Sequence, residues 1–202
     1  MSDEWTFYFD PNKCIGCHAC AVACDVRNDR DTDDDRWRTL RHVGIGEFPD
    51  YEETAVSMSC FHCGNAPCER VCPTSALNKR DSDGIVTVDQ DVCIGCHYCG
   101  WACPYGAPTY DEESRMSKCH LCLGEGEGNG AGKPSRKRPE EGGATPGCVD
   151  NCVTDALHAG PVSEMMEIAS KEAAREFAQS SRQMIVEPTT GTGETDPEIV
   201  GD

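Results

Sequence analysis

The chain has 202 residues, with 36 acidic side chains against 18 basic ones and a formal charge of -18. Leu, Ile, Val and Phe together make up roughly 15% of it, below the level of about 20% at which a highly charged composition alone predicts disorder. An ordinary large apolar core is excluded, nucleic-acid binding is disfavoured because Lys and Arg must neutralise phosphates, and the 16 cysteines make disulfides or metals the substitute for apolar burial.

The first residues, Met1-Ser2-Asp3-Glu4-Trp5, contain neither a basic nor an apolar region, so no secretory signal is expected. No apolar run approaches the roughly 20 residues that span a bilayer. A short strand is predicted over Trp5 to Phe9. It leads into a first cysteine group, Cys14-x2-Cys17-x2-Cys20-x3-Cys24, with a helix beginning near Cys20. Aspartates then crowd the stretch from Asp25 to Asp35. They read as a solvated surface, or as adaptation to a very salty medium, where screening shortens to about 3 Å and self-repulsion is relieved.

A second strand is predicted over Thr54 to Ser59, before group two: Cys60-x2-Cys63-x4-Cys68-x3-Cys72, followed by Pro73. A helix should begin near Cys68 and a strand should cover Ile85 to Val88. Group three is Cys93-x2-Cys96-x2-Cys99-x3-Cys103, followed by Pro104, with a helix from about Cys99. Group four is Cys119-x2-Cys122-x25-Cys148-x3-Cys152, split by a charged, Gly-rich excursion over 124–147. That excursion holds a basic cluster, Lys133, Arg136, Lys137 and Arg138. It reads as a solvated loop, or as a contact for an acidic partner surface. A helix near Cys148 and a strand over Leu157 to Val162 come next. Ser163 then caps a helix running to about Gln179, which either covers the core or docks a partner. The acidic remainder, Glu187 to Asp202, has the Thr/Gly/Pro-rich composition of a flexible tail or one draped over a partner.

Three chemistries compete for the cysteines. A disulfide framework suits small secreted domains, and x2 spacings are too tight for most local bridges. Structural zinc takes two separated pairs, which group four alone would satisfy. Groups one and three do not, because a third cysteine follows each pair after two residues. They carry the ferredoxin run, in which three cysteines hold one iron–sulfur cluster and the fourth reaches its neighbour. The spacing has a physical cause. Three ligands at x2 spacing wrap one face of a cubane, and Gly16 and Gly95 permit the tight loop. The fourth cysteine lies one helical turn further on, about 6 Å along the axis, so two clusters would stand on the order of 10 Å apart. With every cysteine used and Cys96 present, four 4Fe–4S clusters are expected. Thiolates and oxidised cores together would add about -8 to the charge. His18, His62, His97 and His120 lie in or beside these motifs and are expected around the clusters or facing solvent, not as ligands. Trp101 and Tyr98 are expected to pack as cluster cover.

The groups repeat. At an offset of 79, Asp10, Cys14, Ile15, Gly16, Cys17, His18, Cys20, Ala23 and Cys24 recur in group three, and at 80 Cys68, Cys72, Thr74, Ala76 and Leu77 recur as Cys148, Cys152, Thr154, Ala156 and Leu157. Such self-similarity marks a doubled unit. The expected fold is α+β: a doubled bis-cluster, ferredoxin-like fold of short strands and helices around four 4Fe–4S clusters. Its further expected parts are the loop 124–147 and a C-terminal helix and tail over 163–202. Spacing alone leaves open a pairing of group one with group two.

The motif set resembles the iron–sulfur subunits of the molybdopterin oxidoreductase superfamily, most closely the dimethyl sulfoxide reductase type. The resemblance rests on Asp91 and Cys93-Ile-Gly-Cys-His-Tyr-Cys through Ala102-Cys-Pro-Tyr-Gly-Ala-Pro, then Tyr110 and Met116-Ser-Lys-Cys119. Ser57-Met-Ser-Cys-Phe-His-Cys, Val71-Cys-Pro and Asp155-Ala-Leu-His-Ala-Gly-Pro161 extend it. It implies that 1–53 with 111–165 form a unit carrying groups one and four, that 54–110 is an inserted unit carrying groups two and three, and that there are four ligand sets: Cys14, Cys17, Cys20 and Cys152; Cys119, Cys122, Cys148 and Cys24; Cys60, Cys63, Cys68 and Cys103; Cys93, Cys96, Cys99 and Cys72. It also implies a non-catalytic electron-transfer subunit between a molybdopterin-containing catalytic subunit and a membrane anchor that oxidises quinol. Such a subunit is membrane-associated through its partners and can be co-exported with a catalytic subunit bearing a twin-arginine signal. Anaerobic reduction of dimethyl sulfoxide or trimethylamine N-oxide is the expected task. Nitrate, polysulfide, arsenate, formate and selenate complexes use related subunits, and a free-standing polyferredoxin or redox sensor is the rival class.

Overall fold

The computed structural model describes residues 4–30, 36–123 and 145–186, the side chains as far as Gln179. The basic cluster from Lys133 to Arg138, the aspartates between 31 and 35 and the tail from Glu187 lie outside the described residues. The elements run β1 (Trp5–Phe9), α1 (Ala19–Asn28), β2 (Thr39–Ile45), β3 (Glu52–Met58), α2 (Pro67–Arg70), β4 (Leu77–Lys79), β5 (Val86–Val88), α3 (Tyr98–Ala102), β6 (Thr109–Tyr110), β7 (Met116–Ser117), α4 (Gly147–Asp150), β8 (Leu157–Pro161) and α5 (Val162–Val186). This is a mixed α/β chain. It divides into two compact units, Met1–Met166 and Glu167–Asp202.

Every described strand pairs antiparallel with one other: β1 with β8, β2 with β3, β4 with β5, β6 with β7. In the first pair Phe7 faces Ala159 and Phe9 faces Leu157. In the third, Val86 faces Lys79 and Val88 faces Leu77. Shifted by the sequence offsets of 79 and 80, the two registers coincide. The backbone turns coincide as well. His18 and His97 both cap a helix in the left-handed region, at φ 61° and 62°, and Ser75 and Asp155 follow suit at 54° and 51°.

Isolated strand pairs are marginal in water, so each must lean on buried side chains. Trp5, Phe7 and Leu157 join Trp37 and Leu121 in one buried cluster; Leu77, Val86 and Val88 join Met116 in another. Burying a leucine such as Leu157 contributes about 2 kcal/mol. Cys24, Cys60, Cys119 and Cys148 are members of the first cluster and Cys99 of the second. Sulfur thus stands where a chain richer in aliphatic residues would place leucine. The helices that carry cysteines are short: α2, α3 and α4 have one turn each, with Pro67 at the start of α2 supplying a preset φ.

Some elements differ from expectation. Strands β2, β4, β6 and β7 carry no clear alternation in sequence. Helix α5 starts at Val162, one residue before the expected cap, because the Val162 N–H already donates to the Glu4 carbonyl at 2.8 Å. It continues to Val186, past Gln179. Between Glu167 and Arg175 it carries the surface pairs Lys171–Glu167 and Arg175–Glu172, both at 2.6 Å, a spacing that supports a solvated helix by a few tenths of a kcal/mol per pair. Among the described residues no helix is long and apolar enough to cross a membrane.

Candidate metal centres

The cysteine loops are built by backbone geometry that few residues tolerate. Gly16 and Gly95 sit at φ +70° and +66°, where a side chain is strained. A Cβ at Gly95 would also come within 2.8 Å of the Ser114 carbonyl oxygen. Past the loop, Cys99 enters α3 and is buried. A cavity here is lined by Cys93, Cys96 and Cys99 of group three together with Cys72 of group two, and by Thr74, Leu77, Val88, Tyr110 and Met116. The β6–β7 hairpin supplies two donors to its sulfurs. The Met116 N–H donates to Cys93 Sγ at 3.4 Å, and the Tyr110 hydroxyl stands 3.5 Å from Cys99 Sγ. His97 stacks on Tyr110 with ring centroids 3.8 Å apart, which fixes the phenol.

Cys72 and Cys152, equivalent by the repeat, receive the same treatment. For Cys72, burial opposes the thiolate, but donation from the Leu77, Thr74 and Ala76 amides and the Thr74 hydroxyl outweighs it and lowers the pKa. Burial likewise opposes the Cys152 thiolate, and the Thr154, Ala156 and Leu157 amides with the Thr154 hydroxyl outweigh it. The left-handed residues at 75 and 155 turn these N–H groups inward, making a nest for an anion.

Cys24 departs from its own group. Its thiol is pushed well up by burial, then by the neighbouring sulfurs of Cys119 and Cys148 and, more weakly, Cys122. The structure therefore brings the fourth cysteine of group one beside three of group four. Asn28, one turn along α1, donates to the Cys24 carbonyl at 2.8 Å and reaches its sulfur at 3.6 Å. Cys119 is pushed up to about 12 by burial, against the pull of Arg38, and its sulfur accepts the Leu121 N–H at 3.4 Å. In group two, burial raises Cys68 to about 11, with Cys60 and Cys103 as neighbouring sulfurs and Lys118 pulling the other way. Cys63 is raised by burial and then by Cys60, with Cys103 also near. Thiols crowded this way resist ionising together unless metal neutralises them.

Two buried cations lie among these sulfurs: Lys118, inside the motif run Met116-Ser-Lys-Cys119, and Arg38, for which the sequence carries no signal. Arg38 is 2% exposed. Its Nη atoms donate to Ser57 Oγ and Ser59 Oγ, each at 2.9 Å, and its guanidinium lies 4.4 Å from the Phe7 ring centroid. Burial opposes its charge, but Cys148, Cys119, Cys24 and Cys20 more than compensate. Lys118 is 1% exposed; its Nζ donates to the carbonyls of Val86 and of Cys119, the latter at 3.1 Å. The histidines divide. His18 is exposed and stacks on His42. His62 is buried, its Nδ1 accepting the Val86 N–H at 3.1 Å. His120 packs edge-on against Trp37, and burial with nearby Lys118 pushes it down to about 4, so it is neutral at pH 7. Trp101 is 81% exposed and Tyr98 50%. Neither is the buried cover their sequence position suggests: the one-turn helix α3 turns them outward, and their rings pack on each other at 5.6 Å.

Soft thiolates, inward amides and buried cations form a donor set that suits iron–sulfur clusters. Residues 52–162 match a 4Fe-4S dicluster domain, and residues 5–25 a 4Fe-4S binding domain. The chain is 37% identical over 176 residues to an anaerobic dimethyl sulfoxide reductase chain of Escherichia coli (strain K12), covering 82% of this chain and 77% of that one. It belongs to the iron–sulfur subunits of the dimethyl sulfoxide reductase type. This subunit is also 39% identical over 166 residues to the formate dehydrogenase iron-sulfur subunit of Wolinella succinogenes, covering 76% of this chain and 80% of that one. It is 36% identical over 170 residues to a sulfite dehydrogenase subunit of Allochromatium vinosum, with 77% and 68% covered. An electron-transfer subunit of an oxidoreductase complex is therefore the established class.

Proposed function

We propose that this subunit holds four 4Fe–4S clusters in a doubled bis-cluster fold and conducts electrons between a quinol-oxidising membrane anchor and a molybdopterin catalytic subunit that reduces dimethyl sulfoxide or trimethylamine N-oxide. The ligand sets are Cys14, Cys17, Cys20 and Cys152; Cys24, Cys119, Cys122 and Cys148; Cys60, Cys63, Cys68 and Cys103; and Cys72, Cys93, Cys96 and Cys99. The observation that carries the reading is the crossing: Cys72 lines a cavity with Cys93, Cys96 and Cys99, while Cys24 neighbours Cys119, Cys148 and Cys122. It supports pairing group one with group four, and two with three. The coincident strand registers support the doubling, with 54–110 as the inserted unit between 1–53 and 111–165. Each cluster, when bound, accepts and passes on one electron. The chain's own contribution is to fix the sulfurs, exclude water and aim N–H groups at them. The subunit carries no catalysis of its own and associates with the membrane through its partners, at the extracytoplasmic face if the catalytic subunit exports it.

The formate and sulfite dehydrogenase relatives favour a second reading, the same conducting role with another catalytic partner. Two measurements test the proposal. Anaerobically prepared protein should contain about sixteen iron and about sixteen acid-labile sulfide per chain; zinc near four per chain overturns it. With reduced viologen and dimethyl sulfoxide, the clusters should reoxidise quickly only when the molybdenum subunit is added, and turnover by the chain alone would make it an enzyme.

A further inference from the structure

Arg38 is a buried cation that belongs to two cysteine sets at once. Cys148, of the second set, is the sulfur that favours its charge most, and through Ser57 the guanidinium reaches the first, since Ser57 Oγ accepts its Nη1 at 2.9 Å and lies 3.7 Å from Cys20 Sγ. No ion pair among the described residues involves it, and its Nε, fully buried, has no hydrogen-bond partner among them. A guanidinium does not deprotonate, and a buried charge without a counter-charge is costly. The anions that answer it are the sulfurs of Cys148, Cys119, Cys24 and Cys20.

We propose that Arg38 is a positioning residue that acts as a shared, permanent counter-charge for the clusters on Cys14, Cys17, Cys20 and Cys152 and on Cys24, Cys119, Cys122 and Cys148, raising both reduction potentials together. The inference rests on the ligand sets proposed above. Reduction adds one electron to a cluster, supplied by an external low-potential reductant, with no proton taken up and Arg38 unchanged. The extra negative charge is therefore met by a cation already in place, in surroundings where water screens little. The cluster on Cys72, Cys93, Cys96 and Cys99 is an internal control, because its sulfurs are met by the neutral Tyr110 hydroxyl and backbone amides.

The test is a redox titration of the assembled complex, followed cluster by cluster by electron paramagnetic resonance, for the native protein, Arg38→Lys, Arg38→Met and Arg38→Gln. At a fixed potential, Arg38→Met should lower the reduced-to-oxidised ratio of both neighbouring clusters at least tenfold, about 59 mV for one electron. Arg38→Lys should stay near the native values, and the control cluster should not move. Arg38→Gln, which keeps a polar side chain and loses the charge, should lower both clusters as Arg38→Met does, and it decides the matter if Arg38→Met does not assemble. Unchanged potentials in Arg38→Met, or in Arg38→Gln should it stand alone, overturn the proposal, as does Arg38→Lys shifting as far as the neutral variant that assembles. Fewer than about sixteen irons in the native protein is a separate outcome: it removes the four-cluster reading and the proposal with it.

Discussion

Tyr110 shows how one side chain tunes an electron carrier. Its hydroxyl stands 3.5 Å from Cys99 Sγ, and burial followed by that bond raises its pKa, so at neutral pH the hydroxyl keeps its proton and donates. A donor to sulfur favours the more negative, reduced cluster. Tyr110→Phe should therefore lower the potential of the cluster on Cys72, Cys93, Cys96 and Cys99, in a titration followed by electron paramagnetic resonance, and cost about 1 kcal/mol of stability. Cys24 offers a sharper test. Cys24→Ser should perturb the cluster on Cys119, Cys122 and Cys148 and spare the one on Cys14, Cys17 and Cys20; loss confined to the latter's signal would refute the crossing. Such residues differ in how far sequence exposes them. The cysteines announce themselves by spacing, and Tyr110 lies in a motif run. Arg38 does not, because nothing in Asp35-Arg-Trp-Arg-Thr39 separates a guanidinium bound for the interior from one bound for solvent.

At the scale of elements, legibility follows burial. Strand β1 has alternately buried residues at Trp5 and Phe7, and its predicted limits match Trp5–Phe9. Strand β2 is exposed from Arg41 to Ile45, so no apolar period marks it; only its pairing with β3 makes it a strand. Strands β6 and β7 have two residues each, too few for a period to show. Pairs this small cannot sustain themselves, and much of the first core is cysteine. Removing iron with a chelator under reducing conditions should therefore abolish folded structure along with colour, read as loss of far-ultraviolet circular dichroism and a collapse of amide-exchange protection. An apoprotein with native dichroism and a cooperative melt would show that the polypeptide holds the fold unaided.

For the whole molecule, charge is the dominant quantity. A formal -18, deepened by about -8 with the four proposed clusters in place, must repel itself, and salt relieves it. The melting temperature of the loaded subunit should rise between about 0.1 M and about 2 M KCl, and a flat or falling trend would remove the case for a salt-adapted surface. The strand pairing adds a consequence in time. Leu77–Lys79 and Val86–Val88 can close as soon as both have left the ribosome, whereas Trp5–Phe9 must wait for Leu157–Pro161. At the usual pace of translation that wait is on the order of ten seconds, during which Cys14, Cys17 and Cys20 emerge as bare thiols without Cys152. With the ligand sets proposed above, closure is expected to run from the middle of the chain outward, and the interval in which oxygen or a stray metal can capture nascent thiols falls on the set nearest the N-terminus.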